Sequence, residues 1–173
     1  MAAEARSRVL ILGYEGEQFP ARPFLHESIP LRRWTPRGDY GAPFVNQATP
    51  YGWHHQLFSE SGEPREYAQT RRVGDDWRTR WIGRSWVTQA VDRSLRWLDR
   101  NASGQSGFVE MVWCQLARNR HVHLLRLIDS NLFVVASAGW DDGKAIWETD
   151  DRLRLLEESD VVTRLRQSIR PPG

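Results

Sequence analysis

The sequence predicts an α+β domain. A small antiparallel β-meander of three to four strands, at about 108–147, is packed by a helix at about 85–101 and by C-terminal helices at about 150–169. A long extended arm rich in proline and aromatic residues precedes them at about 20–82. Three observations carry this reading. Residues 108–116, 121–128 and 132–138 are apolar runs of strand length, separated by the turn-like Ala117-Arg118-Asn119-Arg120 and Asp129-Ser130-Asn131, and connections this short force antiparallel neighbours. Val87, Val91, Leu95 and Leu98 recur at helical spacing. Seven of the nine prolines lie between Pro20 and Pro64, where each removes a backbone donor and biases its predecessor toward extended conformations.

Along the chain, residues 8–14 read as a short buried strand that Gly13 and Gly16 break. In the proline-rich stretch, residues 24–29 and 53–58 read as short strands, and 65–72 pairs with the latter across Ser61-Gly62-Glu63-Pro64. Aromatic residues run through the same stretch, from Phe19 to Tyr67. A disordered linker is poor in aromatics, so the arm is read as ordered and lying on another surface. Residues 75–82 read as a helical turn. Ser85 then caps the main helix, in which Ala90 fills the apolar stripe and Asp92 and Arg96 stand four apart for pairing. That helix ends near Asn101, before Ser103-Gly104. After the meander, Asp141-Asp142-Gly143 signals a turn and residues 145–147 a short fourth strand. Asp150 or Asp151 caps a final helical region whose apolar face is Leu153, Leu156, Val161, Val162, Leu165 and Ile169; Ser159-Asp160 splits it in two and Pro171-Pro172 stops it.

A length of 173 residues suits one domain spanning 1–173. A single cysteine, Cys114, excludes an intrachain disulfide and favours a reducing compartment, cytoplasm or organelle matrix. No apolar run approaches the ~20 residues that span a bilayer, and residues 1–9 lack the apolar core of a secretory signal. Membrane insertion is therefore not expected. The formal charge is +2, and Lys144 is the only lysine. Codon bias alone accounts for such a preference, although arginine also offers planar, bidentate donors to phosphate and carboxylate.

Five constellations bear on chemistry. His121 and His123 share one face of a predicted strand. With Cys114 or Glu110 from the neighbouring strand, or with His54 or His55, they are the candidates for a metal site. Cys114 with one of the two histidines is the candidate nucleophile and base. The plainer readings are an exposed strand face and a small core hydrophobe, and they are preferred. Gly13-Tyr14-Glu15-Gly16 follows a strand but completes no phosphate-loop pattern. The paired carboxylates Asp141-Asp142 and Asp150-Asp151, with Glu148, suit Mg²⁺, but a turn and a helix cap explain them more simply. Finally, Arg71, Arg72, Trp77, Arg78, Arg80, Trp81 and Arg84 interleave charge with aromatic surface. That pattern suits a protein partner, single-stranded nucleic acid or intrachain cation–π packing.

The function expected from these residues is a non-catalytic interaction or assembly subunit. It docks on a larger protein or ribonucleoprotein complex through the arm and the Arg/Trp segment, with no cofactor. The alternative is a small enzyme, metal- or cysteine-dependent, whose pocket lies on the sheet face bearing His121 and His123.

Overall fold

The computed structural model describes residues 25–36, 43–59, 61–83, 85–102, 109–140 and 153–169. Among them run seven strands and three helices: β1 (Leu25–Trp34), α1 (Phe44–Gln47), β2 (Thr49–Phe58), β3 (Pro64–Val73), β4 (Asp76–Gly83), α2 (Ser85–Asn101), β5 (Val109–Ala117), β6 (Arg120–Leu127), β7 (Leu132–Trp140) and α3 (Glu158–Ile169). All seven strands form one mixed sheet in the order β4-β3-β2-β1-β5-β6-β7. Every neighbouring pair is antiparallel except β1 and β5, which run parallel through Leu31↔Met111 to Trp34↔Cys114.

This corrects the expected architecture. The three-stranded meander is present as β5–β7, but it is less than half of a larger sheet. The stretch expected as an extended arm supplies the other four strands, and the expected helical turn at 75–82 is β4. Proline forbids helix more strongly than strand, and Pro30, Pro50 and Pro64 sit where a sheet tolerates them. Pro30 lies one residue before β1 begins to pair with β5. Pro50 stands beside the register shift at Leu31/Arg32. Pro64 opens β3, opposite the shift at Leu57/Phe58, and Pro43 is the N-cap of α1. The expected hairpin across Ser61–Pro64 does form: Ser59 N–H donates to Glu63 O at 2.9 Å and Gly62 takes φ 80°. The β3–β4 turn likewise uses Gly74 at φ 63°. On β2, Gly52 has no room for a side chain, because a Cβ there would stand 1.8 Å from Thr70 O.

The expected helix at 85–101 is α2. Val87, Val91 and Leu98 are buried along it, and Asp92 accepts from Arg96 Nε at 2.9 Å. The C-terminal region has one described helix rather than two. Ahead of it, Leu156 makes an isolated bridge to Phe133 on the outer side of β7. The strands read at 8–14 and 145–147, and the caps at Asp150 and Asp151, lie outside the described residues.

The sheet is strongly curled. Adjacent strands are spaced about 4.8 Å apart, so in a flat sheet β2 and β6 would be about 14 Å apart and β3 and β6 about 19 Å. Yet the ring centroids of His54 on β2 and His123 on β6 are 6.2 Å apart, and those of Tyr67 on β3 and His123 are 6.0 Å apart. Helix α2 lies in the concavity and packs mainly against β3 and β7, on opposite sides of the curl. The inner core joins Val87, Val91 and Leu98 of α2 to Ile29, Leu31, Met111, Leu125 and Val134. The outer core joins Val161 and Leu165 of α3 and Phe44 of α1 to Val112, Cys114, Val122, Leu124 and Phe133. Alternation along β5 sorts the two: Met111 and Trp113 face inward, and Val112, Cys114 and Leu116 face outward. No helix among the described residues is long and apolar enough to cross a membrane.

Candidate functional site

The residues expected to carry chemistry are divided by the sheet. His121 and His123 share the concave face, as their spacing implies. Cross-strand pairing matches Trp113 to His123 and Gln115 to His121, whereas Cys114 is matched to Val122 and Glu110 to Arg126. Cys114 and Glu110 therefore face the other way. Cys114 is fully buried in the outer core, where burial pushes its thiol well above the usual range. Glu110 is bound by Arg126 Nη1 at 2.6 Å. A Cys–His nucleophile–base pair is thus not assembled. His55 also faces outward, between Ser28 Oγ and Thr70 Oγ1, each 2.8 Å from one ring nitrogen. Among the described residues no group of three His, Cys, Asp or Glu side chains is arranged to hold a metal ion.

The described side chains of the Arg/Trp segment are divided between buried and exposed positions. Trp77 is buried. Arg72 and Arg78 are exposed, and Arg72 turns back to Gly74 O and Asp75. Arg71 points inward over Tyr51, with its guanidinium carbon 5.9 Å from the ring centroid. Arg80 and Trp81 lie on the β4 backbone, where Trp81 is matched to Gln69. Arg84, Gly13–Gly16, Asp141, Asp142, Glu148, Asp150 and Asp151 lie outside the described residues.

What the concave face brings together is a buried polar cluster, built from strands that sequence spacing does not relate. His54 stacks on Tyr67 with centroids 4.8 Å apart, and both rings touch His123. His123 Nδ1 is 2.8 Å from Ser137 Oγ on β7. Gln56 donates from Nε2 to Thr88 O, in the first turns of α2, at 3.1 Å. Gln69 is matched to His54 and Tyr67 to Gln56 across the β2–β3 ladder. His54, Gln56, Gln69, Thr88 and His123 are all at most 2% exposed. Nonetheless, both ring nitrogens of His54, His123 Nε2, Gln56 Oε1, Gln69 Oε1 and Thr88 Oγ1 have no hydrogen-bond partner among the described residues. Each such atom costs about 1–3 kcal/mol relative to a satisfied one, and native interiors contain few of them.

The electrostatics of this cluster are neutral. Burial, reinforced by the proximity of His123 and then His55, holds the pKa of His54 well below the usual histidine value. Burial and then His121 lower that of His123 to about 3. Both rings are therefore uncharged near neutral pH. Uncharged His54 presents one donor and one acceptor, Gln56 and Gln69 present acceptors, and the Thr88 hydroxyl presents both. A molecule that satisfies them needs donors and acceptors but no charge.

A second cluster rims the first. Arg33 lies over both Tyr51 and Trp113, its guanidinium carbon 5.8 and 5.2 Å from the two ring centroids. The two rings meet edge to face at 5.7 Å. Trp113 Nε1 donates to His121 Nδ1 at 3.2 Å, and Arg33 Nη2 donates to Gln115 Oε1. Arg71 is two residues beyond Gln69 on β3, and Trp113 is the cross-strand partner of His123, so rim and interior are continuous. Period-two spacing gives the inward pairs Tyr67/Gln69 and His54/Gln56 once β2 and β3 are known to be strands, but it contains no signal that they meet β6.

Compared with known proteins, the chain matches no family model, no curated protein and no solved structure.

Proposed function

We propose that the chain is a non-catalytic binding domain whose curled sheet and helix α2 form a cup for a small, hydrogen-bonding organic molecule. The observation that carries this reading is the set of six unpartnered polar atoms on five buried side chains of one face, His54, Gln56, Gln69, Thr88 and His123. An interior selected for stability alone would hold apolar residues of similar volume there. Pockets that combine apolar walls with a few convergent polar groups are the usual form of small-molecule sites. Here the walls are Leu31, Met111 and Leu125.

Binding is favoured over catalysis on chemical grounds. The thiol faces away from His121 and His123. An imidazole whose pKa is about 3 is also a weak general base at neutral pH, because proton transfer is most efficient when the pKa lies near the working pH. Residues 25–34, 49–58, 64–73 and 76–83 are strands of the sheet rather than a separate arm, so the contact surface is sought in the cup.

The test uses planar neutral amides, uracil and nicotinamide, as probes. Millimolar concentrations of at least one should raise the thermal midpoint of the wild-type protein. His54→Phe, which keeps the ring stack but removes two polar atoms, should lose that response. If neither probe stabilises the wild-type protein, or if both stabilise His54→Phe equally, the reading is wrong.

A further inference from the structure

Arg33 and Arg71 share one aromatic ring, Tyr51, and differ in their surroundings from the arginines that pair with acids. Arg126 meets Glu110 at 2.6 Å, Arg96 meets Asp92 at 2.9 Å and Arg72 meets Asp75 at 3.3 Å. Arg33 and Arg71 meet no carboxylate among the described residues. Both are half-buried, and both guanidinium carbons lie within 6 Å of the Tyr51 ring centroid, at 5.8 and 5.9 Å. The Nε of each is buried and without a hydrogen-bond partner. Arg33 has one side-chain acceptor, Gln115 Oε1, and the Arg71 guanidinium has none among the described residues.

A guanidinium cannot shed its proton to escape burial. Two of them around one aromatic ring repel each other and retain desolvated donors. Cation–π contact offsets only part of this, about 0.5–2 kcal/mol per pair. The missing element is negative charge. Carboxylate and phosphate are the groups whose planar or tetrahedral oxygens match guanidinium donors.

We infer that the ligand of the cup carries one anionic group, a carboxylate or a phosphate, that sits against Arg33 and Arg71 at the Tyr51–Trp113 rim. The neutral, hydrogen-bonding remainder of the molecule extends inward to His54, Gln69 and His123. This inference rests on the reading of the concave face as a binding cup. It divides the ligand in the way the site is divided, with charge at the rim where two cations have no carboxylate among the described residues and an uncharged body inside where both imidazoles are neutral. Arg33 is held in place between Tyr51 and Trp113, and Arg71 approaches from the strand on the other side of β2.

The experiment compares matched probes that differ only in the anionic group: uracil against orotate, and nicotinamide against nicotinate. Affinities are measured by calorimetry at low ionic strength on the wild-type protein, Arg71→Gln and Arg71→Lys. In the wild type the carboxylated member of at least one pair should bind about tenfold tighter or better, the scale of one charge-assisted hydrogen bond. Arg71→Gln should abolish that advantage by weakening the carboxylated member far more than the neutral one, and Arg71→Lys should restore part of it. Competition with orotate by inorganic phosphate identifies phosphate as the group the rim takes. Competition by acetate alone identifies carboxylate.

Equal affinities for both members of each pair in the wild type would overturn the inference and leave the cup intact. So would an advantage that survives in Arg71→Gln. Failure of all four probes to bind would remove the cup as well. Unfolding of each variant without ligand guards against a fold defect: if Arg71 serves only as packing for Tyr51, Arg71→Gln loses stability and both members of each pair weaken together, which also contradicts the inference.

Discussion

His54 and His123 are separated by three strand steps across the sheet, yet their ring centroids are 6.2 Å apart. The curl that brings them together creates the concavity, positions α2 within it and gathers polar side chains from β2, β3, β6, β7 and α2. Tyr67 lies against both rings, so the contact is a three-ring packing unit bordered by hydrogen-bonding groups that lack partners.

These histidines make the fold acid-sensitive. Both have folded-state pKa values below the unfolded value of about 6.5, by direction for His54 and at about 3 for His123. Below pH 6.5 the unfolded chain takes up protons that the folded chain refuses, so stability is complete above that pH and is lost as pH falls toward 3. The contribution of His123 alone, comparing pH 8 with pH 5, is about 2 kcal/mol. Urea unfolding at the two pH values should show at least this loss, and His123→Leu should reduce it. An identical pH dependence in the variant would mean that the ring is charged or hydrated in the native state.

A site that keeps buried polar atoms unsatisfied trades stability for binding. His54→Phe retains the stack on Tyr67 and removes two unpartnered nitrogens. In the absence of ligand it should be more stable than the wild type by about 1 kcal/mol, measured by the denaturation midpoint at constant slope. A destabilised His54→Phe would show that the nitrogens are satisfied in solution.

The thiol of Cys114 is fully buried in the outer core and its pKa is raised by burial. Alkylation by iodoacetamide at pH 8 should therefore be slow in the native protein and should accelerate with urea in step with unfolding. Rapid labelling without urea would place the thiol in contact with solvent.

On the convex face, Glu110, Arg126, Asn131 and Glu158 form a chain of bonds. Arg126 donates to Glu110 Oε1 at 2.6 Å and to Asn131 Oδ1 at 2.7 Å, and Asn131 Nδ2 donates to Glu158 Oε2 at 2.9 Å. The chain ties β5 and β6 to the start of α3. Arg126→Met leaves the Glu110 carboxylate buried alone and should cost about 3–5 kcal/mol. Adding Glu110→Leu should recover much of it. A double variant as unstable as the single one would locate the cost in the Asn131–Glu158 connection instead.

The parts of the fold legible in the sequence are those set by local periodicity. The stripe Val87–Val91–Leu98 marks α2, and alternating apolar runs mark β5 to β7. Parts of β1, β2 and β3 are legible as short strands at 24–29, 53–58 and 65–72, but Pro30, Pro50 and Pro64 read as breaks that hide their full length, and β4 reads as a helical turn. Whether a proline breaks a strand depends on which backbone groups need partners, and only pairing reveals that. The parallel match of β1 to β5 is long-range and leaves no local trace. The candidate site divided the same way. Spacing placed His121 and His123 on one face, as found, but the register Trp113↔His123 sent Cys114 to the other. His54, Gln56, Tyr67 and Gln69 lie in the short strands read at 53–58 and 65–72, but only the curl of the sheet carries them to β6.

The central claim, a cup that accepts a small molecule on the concave face, is tested most directly by magnetic resonance of ¹⁵N-labelled histidine rings during titration with uracil and orotate. His55 serves as an internal control, since it faces outward with both ring nitrogens engaged by Ser28 and Thr70. The account predicts saturable shifts at His54 and His123 with His55 unmoved. Rings of His54 and His123 that stay fixed throughout, or that move no more than His55, would contradict it.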